Sequence, residues 1–235
     1  MRQTFVTRDQ IIATLLLPFI MAIIALLFVP VVLCQGRPFF YRSERMRDAD
    51  TRFTLLKIRT MRPSRGTKDT PLGGYNEDRV TPIGRFLRRT RLDELPQILN
   101  VLRGEIGFVG PRPPTPRHVA ARPLQYRQLL SRCRPGITGL ATVVVHRREE
   151  RLLSRCRSAA ETETVYLRRC LPAKLRLDMI YARNRSLMLD ARIIWRTFSG
   201  LQFREQDHGA RRTILSMHQN ASSLPQSEVA QLRSA

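Results

Sequence analysis

An uninterrupted apolar run near the start of the chain constrains the fold more than any other feature. Residues 11–34 read IIATLLLPFIMAIIALLFVPVVLC and contain no charged side chain. A helix of about 24 residues is long enough to cross a hydrocarbon core of roughly 30 Å. The run is too long for a signal peptide, no small-residue cleavage site follows it, and it lacks the polar face of a soluble helix. It therefore predicts a membrane-inserted helix.

Two arrangements of this helix are compatible with the sequence. Arginines stand on both flanks of the run, so the charge distribution gives no clear orientation. Pro18 lies inside the run and removes a helical hydrogen bond, which predicts a kink. A broken helix that enters and leaves on one face explains both observations, whereas a kinked spanning helix explains the proline alone.

The chain of 235 residues is strongly basic, with 41 Lys and Arg against 19 Asp and Glu and a formal net charge of +22. This excess indicates a polyanionic partner, namely nucleic acid, anionic lipid or a phosphorylated substrate. Nearly all the cations are arginines, which bind phosphate bidentately, although an arginine bias also follows from genome composition. The four cysteines form no C-x-x-C pair and have no histidines at ligand spacing. We expect neither a zinc site nor disulfides, and a reduced cytosolic environment for the soluble part.

After the apolar run, the pattern predicts a small mixed domain. Alternating apolar positions predict two short strands, around Phe39–Tyr41 and Phe53–Leu55, joined by a polar turn at residues 48–50. Residues 62–80 are rich in Gly, Pro, Thr and Asp and read as a loop over a site.

The second half of the chain alternates helical patterns with breaks. TPIGRFLRRTRLDELPQILNVLRG predicts a short helix, a break and a second helix over about residues 93–103. The prolines of GFVGPRPPTP predict irregular structure, and RPGITGLATVVVH predicts a turn followed by a β-branched strand. Residues 160–200 have helical periodicity that breaks near Pro172, and the polar tail after about residue 205 is expected to be flexible.

The adjacent acids of the LDELP stretch, Asp93 and Glu94, follow a run of arginines. One interpretation is structural: Asp is a preferred N-cap, acids suit the first turn of a helix, and Pro96 is tolerated there. The other is chemical, because carboxylates can hold Mg²⁺ or attack phosphorus while cations neutralise the developing charge.

Other polar residues favour the chemical interpretation. On a strand, Lys57 and Arg59 face the same side, so both could meet one diphosphate. Arg112 is held between Pro111 and Pro113, which fix the backbone around it. On a helix, Asp178 and Tyr181 share one face. Each of these features also has a simpler explanation as a solvated charge, but together they predict a cationic pocket with a few carboxylates, attached to a membrane anchor.

Five stretches of the chain resemble, in order, the bacterial sugar transferases, also called monotopic phosphoglycosyl transferases. The stretches are GRPFFYRSER, FTLLKIRTM, TPIGRFLRRTRLDELPQILNVLRGEIGFVGPRP, RPGITGLATV and KLRLDMIYARNRSLMLDARIIWRTF. The resemblance covers about residues 9–198, and the five stretches lie between residues 36 and 198. One such stretch alone would be weak evidence, but five in the family's order are specific.

This resemblance implies transfer of a sugar phosphate from a UDP-sugar to polyprenyl phosphate, giving a polyprenyl diphosphate sugar and UMP. Asp93 matches the family nucleophile, and Glu94 matches the second acid, as a Mg²⁺ ligand or a base. A magnesium cofactor held by Asp93 and Glu94 is implied. The positions that match substrate-binding residues are Lys57, Arg59, Arg88, Pro111, Arg112, Pro113 and Asp178.

The expected fold is α+β and mainly helical, in the small form of the family. A re-entrant, kinked membrane helix (1–36) precedes a compact cytosolic catalytic domain with short strands (37–204) and a polar tail (205–235). The expected location is the bacterial inner membrane, with the domain facing the cytoplasm. The expected role is the start of exopolysaccharide, capsule or O-antigen synthesis.

Two features depart from the family pattern. The loop after Arg45 usually carries two glycines, whereas Arg47 and Asp50 stand there, which puts the hairpin geometry in doubt. The segment 147–173 is longer than in many relatives and could recognise the sugar or support a homodimer.

The rival hypothesis is a basic, membrane-tethered binding protein for nucleic acid or anionic lipid. The aromatic residues that would stack on single strands are sparse, and no DNA-reading motif is present. We therefore expect no nucleic-acid partner. A degenerate, scaffolding transferase is a third alternative, which the intact Asp93, Glu94, Lys57 and Arg112 disfavour.

Overall fold

The computed structural model describes residues 7–63 and 79–202, and it is mainly helical. Its helices are α1 (Arg8–Gln35), α2 (Pro82–Thr90), α3 (Ile98–Leu102), α4 (Pro116–Ala121), α5 (Pro123–Arg132), α6 (Leu140–Leu153), α7 (Ala159–Val165), α8 (Leu171–Arg183) and α9 (Leu187–Gln202). Its strands are β1 (Phe40–Met46), β2 (Arg52–Ile58), β3 (Gly107–Val109) and β4 (Gly136–Thr138). A 3₁₀ helix (Leu92–Gln97) precedes α3, and a π-helical segment (Tyr166–Cys170) precedes α8. The tail after residue 205 and most of the predicted loop 62–80 lie outside the described residues.

Helix α1 is long and apolar enough to cross a membrane, yet one stripe of it packs on protein. Ala13, Ile24 and Val31 are buried, and they join two apolar clusters with the β1–β2 hairpin, α2 and α3. The other faces of α1 are exposed and apolar. The most exposed side chains are between 69% and 80% exposed and are Leu15, Phe19, Leu26 and Leu33. The helix continues through Pro18 and Pro30 as one element. An exposed apolar surface of this extent is expected where lipid rather than water is the surrounding medium.

Both ends of α1 are tied to the rest of the chain. At its start, Gln10 Nε2 donates to the carbonyl of Leu102 at 2.9 Å, and Arg8 forms an ion pair with Asp190 at 2.9 Å. At its end, the Thr81 hydroxyl donates to Gln35 Oε1 at 2.9 Å. All these residues belong to a single compact unit that extends to Leu201. The two ends of the apolar helix therefore contact the same body.

Strands β1 and β2 form the predicted antiparallel hairpin, with Phe40 opposite Ile58 and Met46 opposite Arg52. The turn closes without the glycines typical of the family. Asp48 Oδ1 accepts hydrogen bonds from the backbone N–H groups of Asp50 and Thr51, so an Asx-type turn replaces the glycine geometry.

Two predictions about the middle of the chain were wrong. The segment GFVGPRPPTP is not wholly irregular, because its first three residues form β3, which pairs in parallel with β4. The β-branched run of LATVVVH is helical and forms the start of α6, and only Gly136–Thr138 is extended. Close backbone packing explains the change at this point: a Cβ at Gly139 would lie 2.1 Å from the carbonyl oxygen of Gly110. Tertiary packing overrides β-propensity here.

The predicted helical region 160–200 is confirmed, but its break lies elsewhere. Pro172 stands in the first turn of α8, where a missing N–H costs little. The chain leaves the helix instead at residues 184–186, between α8 and α9. Residues of α5, the π-helical segment and α8 enclose the largest apolar cluster, which includes Tyr126, Tyr166 and Leu171.

Candidate functional site

The LDELP stretch folds as a 3₁₀ helix, and this geometry aims its two acids inward. Helix α2 ends at Thr90, and the next residue, Arg91, has a positive φ of 60° that turns the chain sharply. Asp93 and Glu94 follow in the first 3₁₀ turn, and both are buried. The N-capping interpretation of Asp93 is wrong: Arg91 occupies the cap position and no side chain caps the helix. The predicted helix over 93–103 is α-helical only from Ile98.

Glu94 is the centre of an ion-pair cluster. Its Oε1 accepts from Lys57 Nζ at 2.7 Å and from Arg112 Nη2 at 2.9 Å, while its Oε2 accepts from Arg91 Nη1 at 3.2 Å. Burial would raise the pKa of this carboxyl, but the three cations outweigh burial and hold the pKa well below its usual range. Glu94 is therefore a permanent anion that fixes the positions of Lys57, Arg91 and Arg112.

Asp93 differs from its neighbour. Its carboxylate forms no hydrogen bond or ion pair with any residue that the structure describes. Burial raises the pKa of Asp93, and the charge of Glu94 adds to this effect, while Lys57, Arg112 and Arg88 oppose it. Asp93 is thus the acid whose oxygen atoms remain available for chemistry, next to a fixed group of cations.

The cations come from three separate parts of the fold. Lys57 lies on β2, directly opposite Tyr41 of β1. Arg112 lies on a loop that backbone hydrogen bonds hold before and after it. Before it, Gly110 N donates to the Thr138 carbonyl and Gly136 N donates to the Pro111 carbonyl; after it, Met46 N donates to the Pro114 carbonyl, and all three bonds are 2.9 Å long. Pro111 and Pro113 are buried beside it. The loop is therefore rigid, as its prolines predict.

Two predicted phosphate-binding arginines have different surroundings. Arg88 donates from Nε to the Thr60 hydroxyl at 2.8 Å and lies close enough to lower the pKa of Asp93. Arg59 lies just beyond the end of β2, where its Nη2 donates to the Gly36 carbonyl at 2.6 Å at the end of α1. The structure brings Lys57 to Glu94 but turns Arg59 towards the apolar helix. Contact of Arg59 with a substrate stays a prediction.

Asp178 is separate from the Glu94 cluster. It lies on α8, where the helix packs next to the start of α6. It is buried and accepts a hydrogen bond from the backbone N–H of Ala141, while its Oδ1 has no partner among the described residues. Burial raises its pKa to about 7, although Lys174 and the Ala141 hydrogen bond act in the opposite direction. No ion pair or hydrogen bond in the described part of the chain joins Asp178 to the Glu94 cluster.

Sequence reasoning missed several members of the site. The sequence did not distinguish Arg91 from the other arginines of its run. In the structure, the 3₁₀ turn brings Arg91 to Glu94. Lys174 and Glu149 form a largely buried ion pair at 2.9 Å, and Lys174 lies over the Tyr166 ring. Glu149 lies close enough to raise the pKa of Arg112. Glu149 belongs to the longer 147–173 segment, whereas Lys174 begins the stretch KLRLDM, and the sequence did not predict their pairing.

A magnesium ion is compatible with the residues present, but in a limited way. No group of three or more His, Cys, Asp or Glu side chains suited to a metal occurs among residues 7–63 and 79–202. Mg²⁺ commonly needs only one or two protein carboxylates, the rest of its ligands being phosphate oxygens and water. Asp93 can supply such an oxygen. Glu94 already accepts three hydrogen bonds, two at Oε1 and one at Oε2, so its remaining acceptor site for a metal is at Oε2.

Much of this chain is similar in sequence to a known protein family and to several named proteins. The family model described as "Bacterial sugar transferase" matches residues 3–204. The UDP-glucose:undecaprenyl-phosphate glucose-1-phosphate transferase of Caulobacter vibrioides is 35% identical, over 82% of this chain and 67% of that protein. The protein of the same name from Escherichia coli (strain K12) is 36% identical, over 68% of this chain and 35% of that protein.

A relative with a different named donor is also similar. The UDP-N-acetylgalactosamine-undecaprenyl-phosphate N-acetylgalactosaminephosphotransferase of Aeromonas hydrophila is 28% identical, over 80% of this chain and 41% of that protein. The chain spans only about a third of the length of several relatives that it matches.

Proposed function

Because this chain belongs to the bacterial sugar transferase family, we propose that it transfers a sugar phosphate from a UDP-sugar to undecaprenyl or another polyprenyl phosphate. The products are polyprenyl diphosphate sugar and UMP. One observation carries the proposal: Asp93, a buried carboxylate that has no hydrogen-bond partner among the described residues, stands beside a fixed group of cations around Glu94. The names of the relatives support the lipid acceptor and the UDP-sugar donor.

The proposed reaction has two displacements at one phosphorus. An Asp93 carboxylate oxygen attacks the β-phosphate of the donor, and the bond from that phosphorus to the bridging oxygen breaks, so that UMP leaves with the electron pair. A phosphate oxygen of the lipid then attacks the same phosphorus and releases the Asp93 carboxylate. The covalent route separates one difficult transfer into two easier ones.

The cations suit the charge that moves in these steps. Lys57, Arg91 and Arg112 are already oriented by Glu94, so they need little reorganisation when the donor's phosphates arrive. Glu94 is poorly suited to act as a base, since its pKa lies well below its usual range. If bound, a magnesium ion held by Asp93, with Glu94 as the second candidate ligand, would add positive charge next to the diphosphate.

The contacts of α1 support insertion from one side of the membrane. An α-helix rises about 1.5 Å per residue, so a spanning helix of this length would place its ends on opposite sides of the bilayer. Here Gln10 and Gln35, near the two ends, bind the same compact unit. We therefore favour a helix that enters and leaves the inner membrane on its cytoplasmic face, where it would hold the site next to the lipid substrate.

The specific role that we propose is the first membrane step of exopolysaccharide, capsule or O-antigen synthesis. The relatives named for UDP-glucose and UDP-N-acetylgalactosamine define the first donors to test.

The deciding experiment measures UMP release by purified protein in lipid nanodiscs with undecaprenyl phosphate, Mg²⁺ and a panel of UDP-sugars. We expect release with at least one donor, and a loss of about a thousandfold or more in Asp93→Asn. Without acceptor, the wild type should release at most one UMP per protein and gain the mass of one sugar phosphate. Turnover of Asp93→Asn near the wild-type rate would disprove the covalent role. Inactivity of the wild type with all donors would count against the function itself.

A further inference from the structure

Asp190 is a buried carboxylate that the proposed mechanism does not use. It lies in the first turn of α9 and is only 9% exposed. Its Oδ1 accepts a hydrogen bond from the Tyr181 hydroxyl at 2.6 Å, and its Oδ2 accepts one from Arg8 Nη2 at 2.9 Å. Tyr181 lies on α8, and Arg8 is the first residue of α1. Asp190 therefore joins α9 to α8 and to the start of the apolar helix.

The Tyr181 side chain extends this network to β3. Tyr181 is completely buried, and its hydroxyl oxygen lies 3.2 Å from the carbonyl oxygen of Val109, the last residue of β3. Burial and the hydrogen bond to Asp190 raise the pKa of Tyr181, so the phenol stays neutral and keeps a proton to donate. That proton lies between two acceptors, and the shorter distance identifies the carboxylate as the stronger one. Asp190 thus fixes the hydroxyl group against the end of β3.

A second contact of α9 reaches the neighbouring strand. Thr197 lies seven residues after Asp190, so both residues are on one face of the helix. The Thr197 hydroxyl donates to the Ile193 carbonyl at 2.8 Å, and therefore accepts from the Thr138 hydroxyl, which is 2.7 Å away. Thr138 is the last residue of β4. One face of α9 thus supports both strands of the β3–β4 pair, directly at β4 and through Tyr181 at β3.

These two strands hold the loop that carries Arg112. Gly110 follows Val109 and donates from its backbone N to the Thr138 carbonyl at 2.9 Å. Arg112 comes two residues later and donates to Glu94 Oε1 at 2.9 Å. Because so short a segment separates the end of β3 from Arg112, a displacement of Val109 would also move the cation that pairs with Glu94.

The start of α1 packs on the same strand. A Cβ added to Gly107, the first residue of β3, would lie 2.6 Å from Asp9 Oδ2, so the first turn of α1 is in close contact with this strand. The ion pair of Arg8 with Asp190 is made from the same turn. The docking of the apolar helix and the position of the Arg112 loop therefore depend on one strand.

We propose that Asp190 is a positioning residue for Arg112. It acts through Tyr181 at the end of β3, and its ion pair with Arg8 couples the position of Arg112 to the docking of α1. The inference rests on the proposed function, because it takes Arg112 as a cation that meets the phosphates of the donor. In this role Asp190 and Tyr181 do not contact the substrate; they hold Arg112 where the phosphates arrive.

The alternative role for Asp190 is general stability. A buried carboxylate with two partners could stabilise the whole domain without a particular effect on Arg112. General destabilisation would increase opening throughout the domain, and it would lower activity by the same factor whether or not Arg112 is present. A positioning role predicts effects that are confined to the Arg112 loop and that depend on Arg112.

The first test measures backbone amide exchange by mass spectrometry, with the protein in lipid nanodiscs. In Asp190→Asn and in Tyr181→Phe we expect exchange at residues 107–112 to become about 10- to 100-fold faster, the effect typical of one hydrogen bond to a charged group. The β1–β2 hairpin and α5 should change less than about twofold. Arg8→Gln should give a smaller increase at the same residues, because Arg8 is partly exposed. Arg192→Gln is the matched control, since Arg192 is exposed on α9.

The second test is a double-mutant cycle with Arg112→Gln, measured as kcat/KM for UMP release. Asp190→Asn should lower kcat/KM about tenfold in the wild-type background, but less than about twofold in Arg112→Gln, where the side chain to be positioned is absent. Tyr181→Phe should behave in the same way, and it serves alone if the asparagine variant does not fold.

Faster exchange throughout the domain, or an unchanged rate at residues 107–112, would overturn the inference. An equal loss of kcat/KM in the two backgrounds would do the same. Unchanged exchange of the loop in Arg8→Gln would overturn the coupling to α1. A wild type that is inactive with all donors would count against the proposed function, while the exchange measurement, which needs no turnover, still decides whether Asp190 holds the Arg112 loop.

Discussion

Glu94 and Asp178 are equally buried, at 6% exposure each, yet the fold treats their charges in opposite ways. Glu94 stands among Lys57, Arg91 and Arg112, and its pKa lies well below its usual range. Asp178 has a backbone N–H and a more distant Lys174, and its pKa rises to about 7. The number of cations in contact, rather than the depth of burial, decides whether a carboxyl in this protein stays ionised.

The largest expected effect comes from removing the charge of Glu94. Glu94→Gln leaves three partly buried cations without their common buried anion, so we expect a loss of about 3 kcal/mol in the free energy of unfolding. Thermal unfolding in nanodiscs measures this loss. Asp178→Asn, at equal burial, is the control and should not destabilise the protein at pH 8. A stable Glu94→Gln variant would mean that the cations do not depend on Glu94.

The second prediction concerns the pH dependence of stability. The folded-state pKa of Asp178 is raised above its unfolded value near 4, so the folded protein binds the extra proton. Its contribution is present at low pH and is lost as the pH rises from about 4 through about 7. Asp178→Asn should remove this decline and unfold at a higher temperature than the wild type at pH 8. Parallel curves for the two proteins between pH 5 and 8 would contradict the prediction.

A third prediction applies to the rate of the first chemical step. Asp93 must be ionised to attack, and burial raises its pKa, so single-turnover UMP release should fall on the acid side at a pH above that of an ordinary aspartate. Because the charge of Glu94 also raises this pKa, residual activity in Glu94→Gln should extend to lower pH. If the acid side of the pH profile shifts to higher pH in Glu94→Gln, the profile does not report the ionisation of Asp93.

The smallest effect is expected from Lys174. Its charge lowers the pKa of Asp178, so Lys174→Met should move the pH-dependent loss of stability to higher pH. Arg151→Met, an exposed substitution on α6, serves as the control. The measured quantity is again the unfolding temperature between pH 5 and 8. A midpoint unchanged by Lys174→Met would show that the pair with Glu149 already cancels the charge of Lys174.

Local patterns predicted the apolar helix, the β1–β2 hairpin and the adjacency of the acids to their cations. They could not predict which of the two acids forms ion pairs, because Lys57 and Arg112 reach Glu94 only through long-range packing. The same limit explains α6, whose valines favour a strand until the contacts of Gly139 with Gly110 end β4. It also explains Arg59, which strand alternation paired with Lys57 but which the end of β2 turns towards α1.

The two attachments of α1 also bear on the order of events during synthesis. Gln10 binds a residue 92 positions later, and Arg8 binds one 182 positions later. The apolar helix therefore leaves the ribosome long before either partner exists, while its exposed side chains already favour lipid. With the membrane insertion proposed above, the helix would therefore meet lipid before the contacts that hold its start can form.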